Sequence, residues 1–170
     1  GTEDDQITSE MKLVEKIYAI LNIVEESYIV EKYYIFIRGE NNFRKDTYPI
    51  YKANRPQKHD IINTLGKFLA ENEQFQAIEC HGAEADDCVF SYAEMFKNNC
   101  IICSIDKDLL QIPGLHYNYI KNTYTEVSEE DAKYNLAVQM IIGDAGDNIN
   151  LTPKYGLSYA NKVLRKGMSN

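Results

Sequence analysis

Seven carboxylates fall in three short clusters, each where the pattern of the sequence changes. The clusters are Glu84-Ala85-Asp86-Asp87, Ser104-Ile105-Asp106-Lys107-Asp108 and Gly143-Asp144-Ala145-Gly146-Asp147. Carboxylates that converge on one pocket repel one another unless cations hold them. Carboxylate oxygen ligands favour a hard ion such as Mg²⁺ or Mn²⁺ over zinc. These residue types predict a divalent-metal site, and its candidate ligands are Glu84, Asp86, Asp87, Asp106, Asp108, Asp144 and Asp147.

Each cluster also has a plain structural interpretation. The first can open a helix, where negative charge interacts favourably with the helix dipole. The second follows an apolar strand directly, and α/β folds place their ligands at the carboxyl ends of such strands, which favours a site over a surface turn. The third follows the apolar end of a helix, where negative charge is disfavoured and no compensation is visible. A local rule broken in this way indicates function.

The distribution of charge predicts a phosphate-bearing partner. The 170-residue chain has 18 lysines and arginines against 26 aspartates and glutamates, a formal charge of −8, which alone argues against nucleic acid. Residues 38–67 reverse this balance, because seven basic side chains face three acidic ones, a local +4. Without the seven clustered carboxylates the whole chain would carry −1. Phosphodiester hydrolysis requires both an acid-lined metal site and cations that hold the phosphate.

Apolar spacing predicts helices that alternate with strands. In chain order we expect helix 9–26, strand 33–37, helix 60–70, strand 76–79, helix 84–96, strand 100–105 and strand 117–120. This alternation is typical of an α/β fold with a mostly parallel sheet and helices on both faces. After residue 128 the pattern is helical only, with helices at 132–142 and 158–164. We therefore predict an α/β core over residues 1–127 and a helical region over residues 128–170.

The composition predicts a cytoplasmic protein that has no membrane segment. The chain is 44% hydrophobic and 26% charged, and no apolar run approaches the roughly 18 residues that a membrane span requires. Its four cysteines come without a signal peptide, which favours a reducing compartment. Cys100 and Cys103 lie in a predicted strand, where positions three apart face opposite sides, so we do not interpret them as a metal site.

Four segments, in order, resemble the 5′ nuclease or flap endonuclease family, and in particular its phage branch. They are Phe43-Arg44-Lys45 with Tyr48-Pro49 and Tyr51-Lys52-Ala53-Asn54-Arg55, the EADD segment at 84–87, the S-x-D-x-D-x-x-Q segment at 104–111 and the GDxxDNI segment at 143–149. The resemblance covers roughly residues 33–164. It implies a Rossmann-like (PIN/5′ nuclease-like) core followed by a helix-hairpin-helix module that grips duplex phosphates.

The resemblance also implies roles for individual residues. Two sites for Mg²⁺ or Mn²⁺ are implied, the first nearest Glu84, Asp86, Asp87 and Asp106, and the second nearer Asp108, Asp144 and Asp147, with K⁺ at the hairpin. Lys52 and Arg55 are implied to contact the scissile phosphate as catalytic residues. Tyr51 is implied to stack on a terminal base, with a packing role as the alternative. Backbone phosphate contacts are expected from Arg44, Lys45 and Lys154.

The chain departs from the family pattern at four places. The family's first strand, which carries an aspartate, is not visible before the first predicted helix, and we expect it to lie outside this sequence. A second family aspartate is replaced by Arg38-Gly39-Glu40, and two hairpin glycines are replaced by Leu151 and Lys154, which leaves Gly156. The chain passes quickly into helix after Arg55, so the arch that threads a 5′ end looks short. This favours 5′→3′ exonuclease action, with flap cleavage as a further activity.

We therefore expect a metal-dependent 5′→3′ exonuclease or flap endonuclease that acts near DNA 5′ ends during phage replication, in the host cytoplasm. Its partners would be DNA 5′ ends, flaps or RNA–DNA primer junctions, together with replication proteins, and we expect a monomer. A DNA-binding module that kept the fold but lost catalysis, and a PIN-type ribonuclease, are the alternatives. A dehalogenase-type phosphatase fits poorly, because Leu109 and Leu110 stand where it needs a threonine.

Overall fold

A computed structural model describes residues 3–56, 59–149 and 156–168. The chain divides into two compact units, which we describe separately. The first unit comprises Gly1–Asn42 and Pro56–Cys88, and the second comprises Phe43–Arg55 and Val89–Asn170. This division follows the packing of the backbone, and the predicted domain boundary at residue 127 stays a prediction.

Helices and strands alternate over most of the described chain. The helices are α1 (Glu3–Glu25), α2 (Phe43–Thr47), α3 (Asp60–Glu71), α4 (Ala85–Phe96), α5 (Glu129–Ile142) and α6 (Leu157–Met168). The strands are β1 (Ile35–Arg38), β2 (Ala77–Cys80), β3 (Ile101–Cys103), β4 (Gly114–Asn118) and β5 (Thr123–Val127). Short 3₁₀ turns occupy Lys97–Asn99, Lys107–Gln111 and Ala145–Asp147. Among the described helices, none is both long enough and apolar enough to cross a membrane.

In the first unit, a parallel strand pair is covered by helices. β1 pairs with β2 in a register that places Ile35 opposite Ala77. α3 packs against β2 and against α1. Phe75, which is buried, has ring contacts with Tyr18 and Phe68 at centroid distances of 6.3 and 6.2 Å. Because helices and strands bury their apolar faces against each other, this aromatic cluster fixes α1 and α3 beside the strands.

The second unit contains a three-stranded sheet, in the order β3-β4-β5. β3 and β4 are parallel, whereas β4 and β5 form an antiparallel hairpin. Tyr117 on β4 is fully buried and stacks on Tyr124 with ring centroids 4.7 Å apart. An apolar cluster joins β3, α4 and the 3₁₀ turn that follows β3, and it contains Ala93, Ile102, Leu109 and Ile112. Buried side chains of this cluster therefore hold the turn that carries Asp106 and Asp108 against β3 and α4.

Most predicted elements are confirmed, and the exceptions have local causes. Helix α1 begins at Glu3 and not at Ser9, because Glu3, Asp4 and Asp5 supply the negative charge that a first turn favours. Ser9 is inside the helix, where its hydroxyl donates to the Asp5 carbonyl at 2.8 Å. The short helix α2 was not predicted.

The predicted strand at 117–120 is wrong at its end. β4 covers Gly114–Asn118, and the chain then turns back into β5. The side-chain oxygen of Asn118 accepts from the backbone N–H groups of Ile120 and Lys121 at 3.1 and 3.0 Å, which is an asparagine-capped turn. Asn122 completes the reversal with a φ of 52°. The periodicity of apolar residues does not show such a hairpin, because β5 exposes four of its five residues.

The ends of β1 and β2 approach so closely that only glycine fits at position 39. The Gly39 N–H donates to the Cys80 carbonyl at 3.1 Å, and the Gly82 N–H donates to the Glu40 carbonyl at 2.8 Å. A Cβ at position 39 would lie 2.7 Å from the carbonyl carbon and oxygen of Cys80 and 2.8 Å from the nitrogen of His81.

We predict that Gly39→Ala lowers the free energy of unfolding by about 1–3 kcal/mol, because the added methyl meets backbone that has no room to move. Gly66→Ala is the matched control, since nothing lies within 4 Å of its Cβ position and alanine favours a helix interior by about 0.5–1 kcal/mol. Urea unfolding of both variants measures the difference. Equal stabilities for the two variants would contradict the close approach.

Candidate functional site

The turn after α5 is closed on itself by short hydrogen bonds. Gly143 ends the helix with a φ of 72°. The Asp144 carboxylate then accepts from the N–H groups of Gly146 and Asp147 at 2.7 and 3.2 Å, and its backbone forms a bridge with Ile149 at 2.7 and 2.8 Å. Asp144 therefore begins a new 3₁₀ turn and does not extend the end of α5. The carboxylate is compensated by backbone donors, and the sequence pattern did not show this.

The carboxylate of Asp147 collects cationic and hydroxyl donors from the segment 51–55. Its Oδ1 lies 2.5 Å from a terminal guanidinium nitrogen of Arg55. Its Oδ2 accepts from the Tyr51 hydroxyl at 2.9 Å and lies 3.7 Å from the Lys52 ammonium. Arg55 also donates through Nε to the Gly146 carbonyl at 3.1 Å. The structure thus brings together one member of the third acidic cluster and the predicted phosphate-binding cations.

The segment that carries these cations has no regular secondary structure of its own. Successive turns link Tyr51 to Tyr48, Ala53 to Ile50 and Arg55 to Lys52 through backbone hydrogen bonds of 2.8–3.1 Å. Lys52 adopts a φ of 56°, which is uncommon for a residue with a side chain. Its N–H donates to the Asp147 carbonyl at 3.2 Å. A chain in this conformation depends on contacts with the turn at 144–149 to keep its shape.

The remaining predicted nucleic-acid contacts have different surroundings. Tyr51 is only 4% exposed and the Lys52 ammonium lies 4.9 Å from its ring centroid, which favours the packing alternative over stacking on a base.

Arg44 is half-buried, with its guanidinium 4.7 Å from the Phe43 ring, while Lys45 is exposed. Lys154 lies outside the described residues, as does the predicted K⁺ hairpin. The nucleic-acid roles of these residues stay predictions.

The second acidic cluster lies on the 3₁₀ turn at Lys107–Gln111. The Asp106 carboxylate accepts from the Asp108 N–H at 2.9 Å, and the Asp106 N–H donates to the Ser104 hydroxyl at 3.0 Å. Burial raises the pKa of Asp108, and the negative charges of Asp106 and Asp144 raise it further. A hydrogen bond from Gln139 and the nearby charge of Lys107 oppose that shift. Asp106, Asp108 and Asp144 are therefore close enough for their charges to interact.

Side-chain amides of α5 hold this turn in place. Gln139 and Gln111 are joined by a hydrogen bond between their side chains. Asn135 donates through Nδ2 to the Leu110 carbonyl at 2.8 Å. These contacts fix the second acidic cluster against the helix whose end carries the third cluster.

The first acidic cluster lies in the first unit, at the start of α4. The Asp87 carboxylate accepts from the Glu84 N–H at 2.9 Å, an arrangement that caps a helix start. Glu84 in turn accepts from Asn42 Nδ2 at 3.0 Å, and Asn42 is buried. Asp86 is exposed on the first turn. The helix-opening interpretation of this cluster is therefore correct, and it leaves a metal role for the same carboxylates as a prediction.

The chemistry of these donors suits a hard cation, but the described arrangement is incomplete as a binding site. Within residues 3–56, 59–149 and 156–168, no three histidine, cysteine, aspartate or glutamate side chains are grouped closely enough to hold an ion. Asp108 interacts with the negative charges of Asp106 and Asp144, which makes these three carboxylates candidate ligands. The metal roles of all seven predicted ligands stay predictions.

Sequence reasoning missed the uncharged members of the site. Asn54 and Asn148 hydrogen-bond to each other through their side chains at 2.6 Å, and Asn42 contacts the first acidic cluster. All three lie in or beside the recognised motifs. The sequence analysis selected candidate residues by their charge, and it did not select these asparagines because their side chains are neutral.

The chain is similar to one protein family and to two kinds of named relative. A family model described as the 5′-3′ exonuclease, N-terminal resolvase-like domain matches residues 3–137. The "5'-3' exonuclease" of Buchnera aphidicola subsp. Schizaphis graminum is 32% identical over 164 residues, covering 86% of this chain and 57% of the relative. A "DNA polymerase I" of Rhizobium leguminosarum is 31% identical over 147 residues, covering 78% of this chain and 14% of the relative. The chain thus spans less than two thirds of the length of these relatives.

Solved structures share the fold. The T5 5′-exonuclease with bound zinc superposes with a TM-score of 0.74 at 16% identity, covering 90% of this chain and 66% of that chain. A bacteriophage T5 flap endonuclease in a complex with DNA and metal ions gives a TM-score of 0.71 at 18% identity, covering 88% and 65% of the two chains. Likeness at this identity shows the fold alone, and it confirms the predicted α/β class with parallel strands.

We predict that Asp108→Asn raises the melting temperature at pH 7 in the presence of EDTA. A carboxyl whose pKa is raised by folding favours the native state only while it is protonated, so stability falls as the pH rises from the unfolded pKa through the folded pKa. The variant lacks this penalty, so its advantage is expected to vanish below about pH 3.5, where the wild-type carboxyl is protonated in both states. Thermal unfolding between pH 3 and pH 8 measures it. An advantage that is constant across this range would contradict the electrostatic interpretation.

Proposed function

Because the chain belongs to the 5′-3′ exonuclease family through its N-terminal resolvase-like domain, we propose that it is a metal-dependent nuclease that hydrolyses phosphodiester bonds near DNA 5′ ends. The family that the four motifs indicated is confirmed. The substrate, the metal and the position of cleavage belong to the proposal.

The observation that carries the proposal is the pairing of Arg55 and Lys52 with Asp147. A guanidinium recognises carboxylate and phosphate oxygens through the same planar donors. The Arg55 side chain is 51% exposed, whereas that of Asp147 is 15% exposed, so solvent reaches the guanidinium and a phosphate can approach it from that side. Asp147 thus occupies the position that a backbone phosphate takes when DNA binds. Lys52 supplies a second cation to the same phosphate.

Carboxylates of the same unit lie next to this cationic pair. A Cβ placed on Gly146 would be 3.1 Å from the Asp144 carboxylate and 3.7 Å from the Arg55 guanidinium, so both groups flank this glycine. In the proposal, Asp106, Asp108 and Asp144 would contribute ligands to Mg²⁺ or Mn²⁺, whose charge would favour the ionised form of Asp108 against the burial and the neighbouring negative charges that raise its pKa. When bound, such an ion supplies an activated water and charge stabilisation for phosphodiester hydrolysis. Arg55 and Lys52 hold and orient the phosphate.

The biological setting extends the proposal. We propose that the protein removes primers and trims 5′ ends during DNA replication, as a cytoplasmic monomer that meets replication proteins at 5′ ends, flaps and RNA–DNA junctions. The sequence relatives named above come from bacteria, and one solved structure comes from a phage enzyme. The proposed role in DNA replication therefore covers both bacterial and phage replication. The family match favours it over a PIN-type ribonuclease.

A second candidate function has two observations in its favour. Over the described part of the chain no three donors are grouped for a metal ion, and Arg38-Gly39-Glu40 replaces an acidic position of the family pattern. A module that binds DNA without cutting it would explain both facts. Metal-dependent cleavage separates this candidate from the enzyme.

We predict that the chain shortens a 5′-labelled single-flap DNA duplex with Mg²⁺ or Mn²⁺ but not with EDTA. Asp106→Asn is expected to slow cleavage by about 100-fold or more, because it removes a negative charge that the proposed metal ion needs, while DNA binding is retained. Glu129→Gln is the charge-matched control, since its side chain is 78% exposed and pairs with Lys133 on the same helix. The lengths of the labelled products distinguish exonuclease from flap cleavage.

Cleavage that persists in EDTA, or that is unaffected by Asp106→Asn, would contradict the metal-dependent proposal. DNA that is bound but stays intact with every metal would support the non-catalytic module. If Asp106→Asn fails to fold, Asp108→Asn makes the same test, because it removes the neighbouring charge without removing the cap of the 3₁₀ turn.

A further inference from the structure

Two asparagines connect the turn at 144–149 with the segment that carries the cations. Asn54 donates through Nδ2 to the side-chain oxygen of Asn148 at 2.6 Å. Asn148 donates through its own Nδ2 to the Ile50 carbonyl at 2.7 Å. The Asn148 backbone carbonyl also accepts from the Tyr48 hydroxyl at 3.2 Å. One residue therefore holds the chain on both sides of Lys52.

From this geometry we infer that Asn54 and Asn148 are positioning residues for the proposed phosphate contacts, and that they act by fixing the segment from which Lys52 and Arg55 project. The inference rests on the proposed function and adds to it residues that bear no charge. Because neither amide carries a charge, neither can attract DNA by long-range electrostatics. Their side-chain amides hydrogen-bond to each other and to the Ile50 carbonyl, so the inferred effect on catalysis passes through the placement of other groups.

Asparagine is suited to position 148 for two separate reasons. The residue has a φ of 61°, in the left-handed region, where asparagine is better tolerated than most residues with a side chain. Its N–H donates to the Ala145 carbonyl at 3.3 Å, which closes the turn. An amide also offers a donor and an acceptor on one short side chain, as the contacts with Ile50 and Asn54 require. Aspartate would lose the donor, and glycine would keep the backbone but lose both contacts.

The variant Asn148→Gly uses this distinction, because it keeps the left-handed backbone while removing the amide. Asn122→Gly is the matched control. Asn122 also has a positive φ, 52°, and its side-chain oxygen accepts from the Tyr117 hydroxyl at 2.9 Å, but it lies in the β4–β5 turn. Both variants lose one asparagine amide at a position that accepts glycine. Only Asn148→Gly should disturb Lys52 and Arg55.

The first readout needs no catalysis. The Nε–H of Arg55 donates to the Gly146 carbonyl, so its ¹⁵N–¹H signal should be protected from exchange with solvent. We expect Asn148→Gly to speed that exchange about 10-fold or more, and Asn122→Gly to leave it within about twofold. Asn54→Ala is a second variant, which removes one partner of the pair without touching the turn at 144–149. A melting curve for each variant establishes that it is folded. An unchanged exchange rate of the Arg55 Nε–H in both Asn148→Gly and Asn54→Ala would then overturn the inference.

The second readout is cleavage of the single-flap duplex by single and double variants. Asn148→Gly is expected to lower kcat by about 10- to 100-fold with a change in KM of less than about threefold, as for a misplaced catalytic group. In a background that carries both Lys52→Ala and Arg55→Ala, the same change should lower kcat by less than about threefold, because both groups that it positions are already gone. A full, independent loss in that background would overturn the inference. If the wild-type chain does not cleave DNA, the proposed function fails, and the Arg55 exchange experiment still decides the positioning role.

Discussion

The second unit depends on one carboxylate, Asp147, whose two oxygens are shared by Arg55, Lys52 and Tyr51. The segment 48–55 has only turns of its own, and Lys52 adopts an unfavourable backbone conformation, so this segment needs an external anchor. Asp147 is such an anchor because its own turn is closed by Asp144 and by backbone bonds. The closed turn therefore determines where the cationic groups of Lys52 and Arg55 lie.

The same arrangement connects structure with the proposed chemistry. Lys52 and Arg55 are presented to solvent with a carboxylate as their present partner, and a phosphate oxygen has the same requirements for recognition. Close by, burial raises the pKa of Asp108, and the negative charges of Asp106 and Asp144 raise it further. In the proposed function, a DNA phosphate takes the place of the Asp147 carboxylate beside Lys52 and Arg55. A divalent ion would lie among the three aspartates and offset their negative charge.

Periodicity and motif spacing predicted the α/β fold and the ends of α3, α4 and α5 closely, because these elements bury one regular apolar face. The same reasoning missed β5, which exposes most of its residues. It also placed the start of α1 too late, because it took Ser9 as the start, whereas the acidic residues Glu3, Asp4 and Asp5 form the first turn. For the site, it located the carboxylates and cations by charge. It could not see that Asp144 caps its own turn or that Asn54 and Asn148 join two distant segments, since a hydrogen bond between amides leaves no charge pattern in the sequence.

The central claim is that Asp147 holds Arg55, and a double-mutant cycle in urea unfolding with EDTA tests it most directly. The cycle combines Asp147→Asn with Arg55→Gln, and Glu129→Gln with Lys133→Gln provides a control pair that is more than three quarters exposed on α5. We predict a coupling of about 0.5–1 kcal/mol for Asp147 and Arg55, larger than that of the control pair. Stability losses that add within about 0.3 kcal/mol would contradict the account, because they would mean that the two side chains do not hold each other in solution.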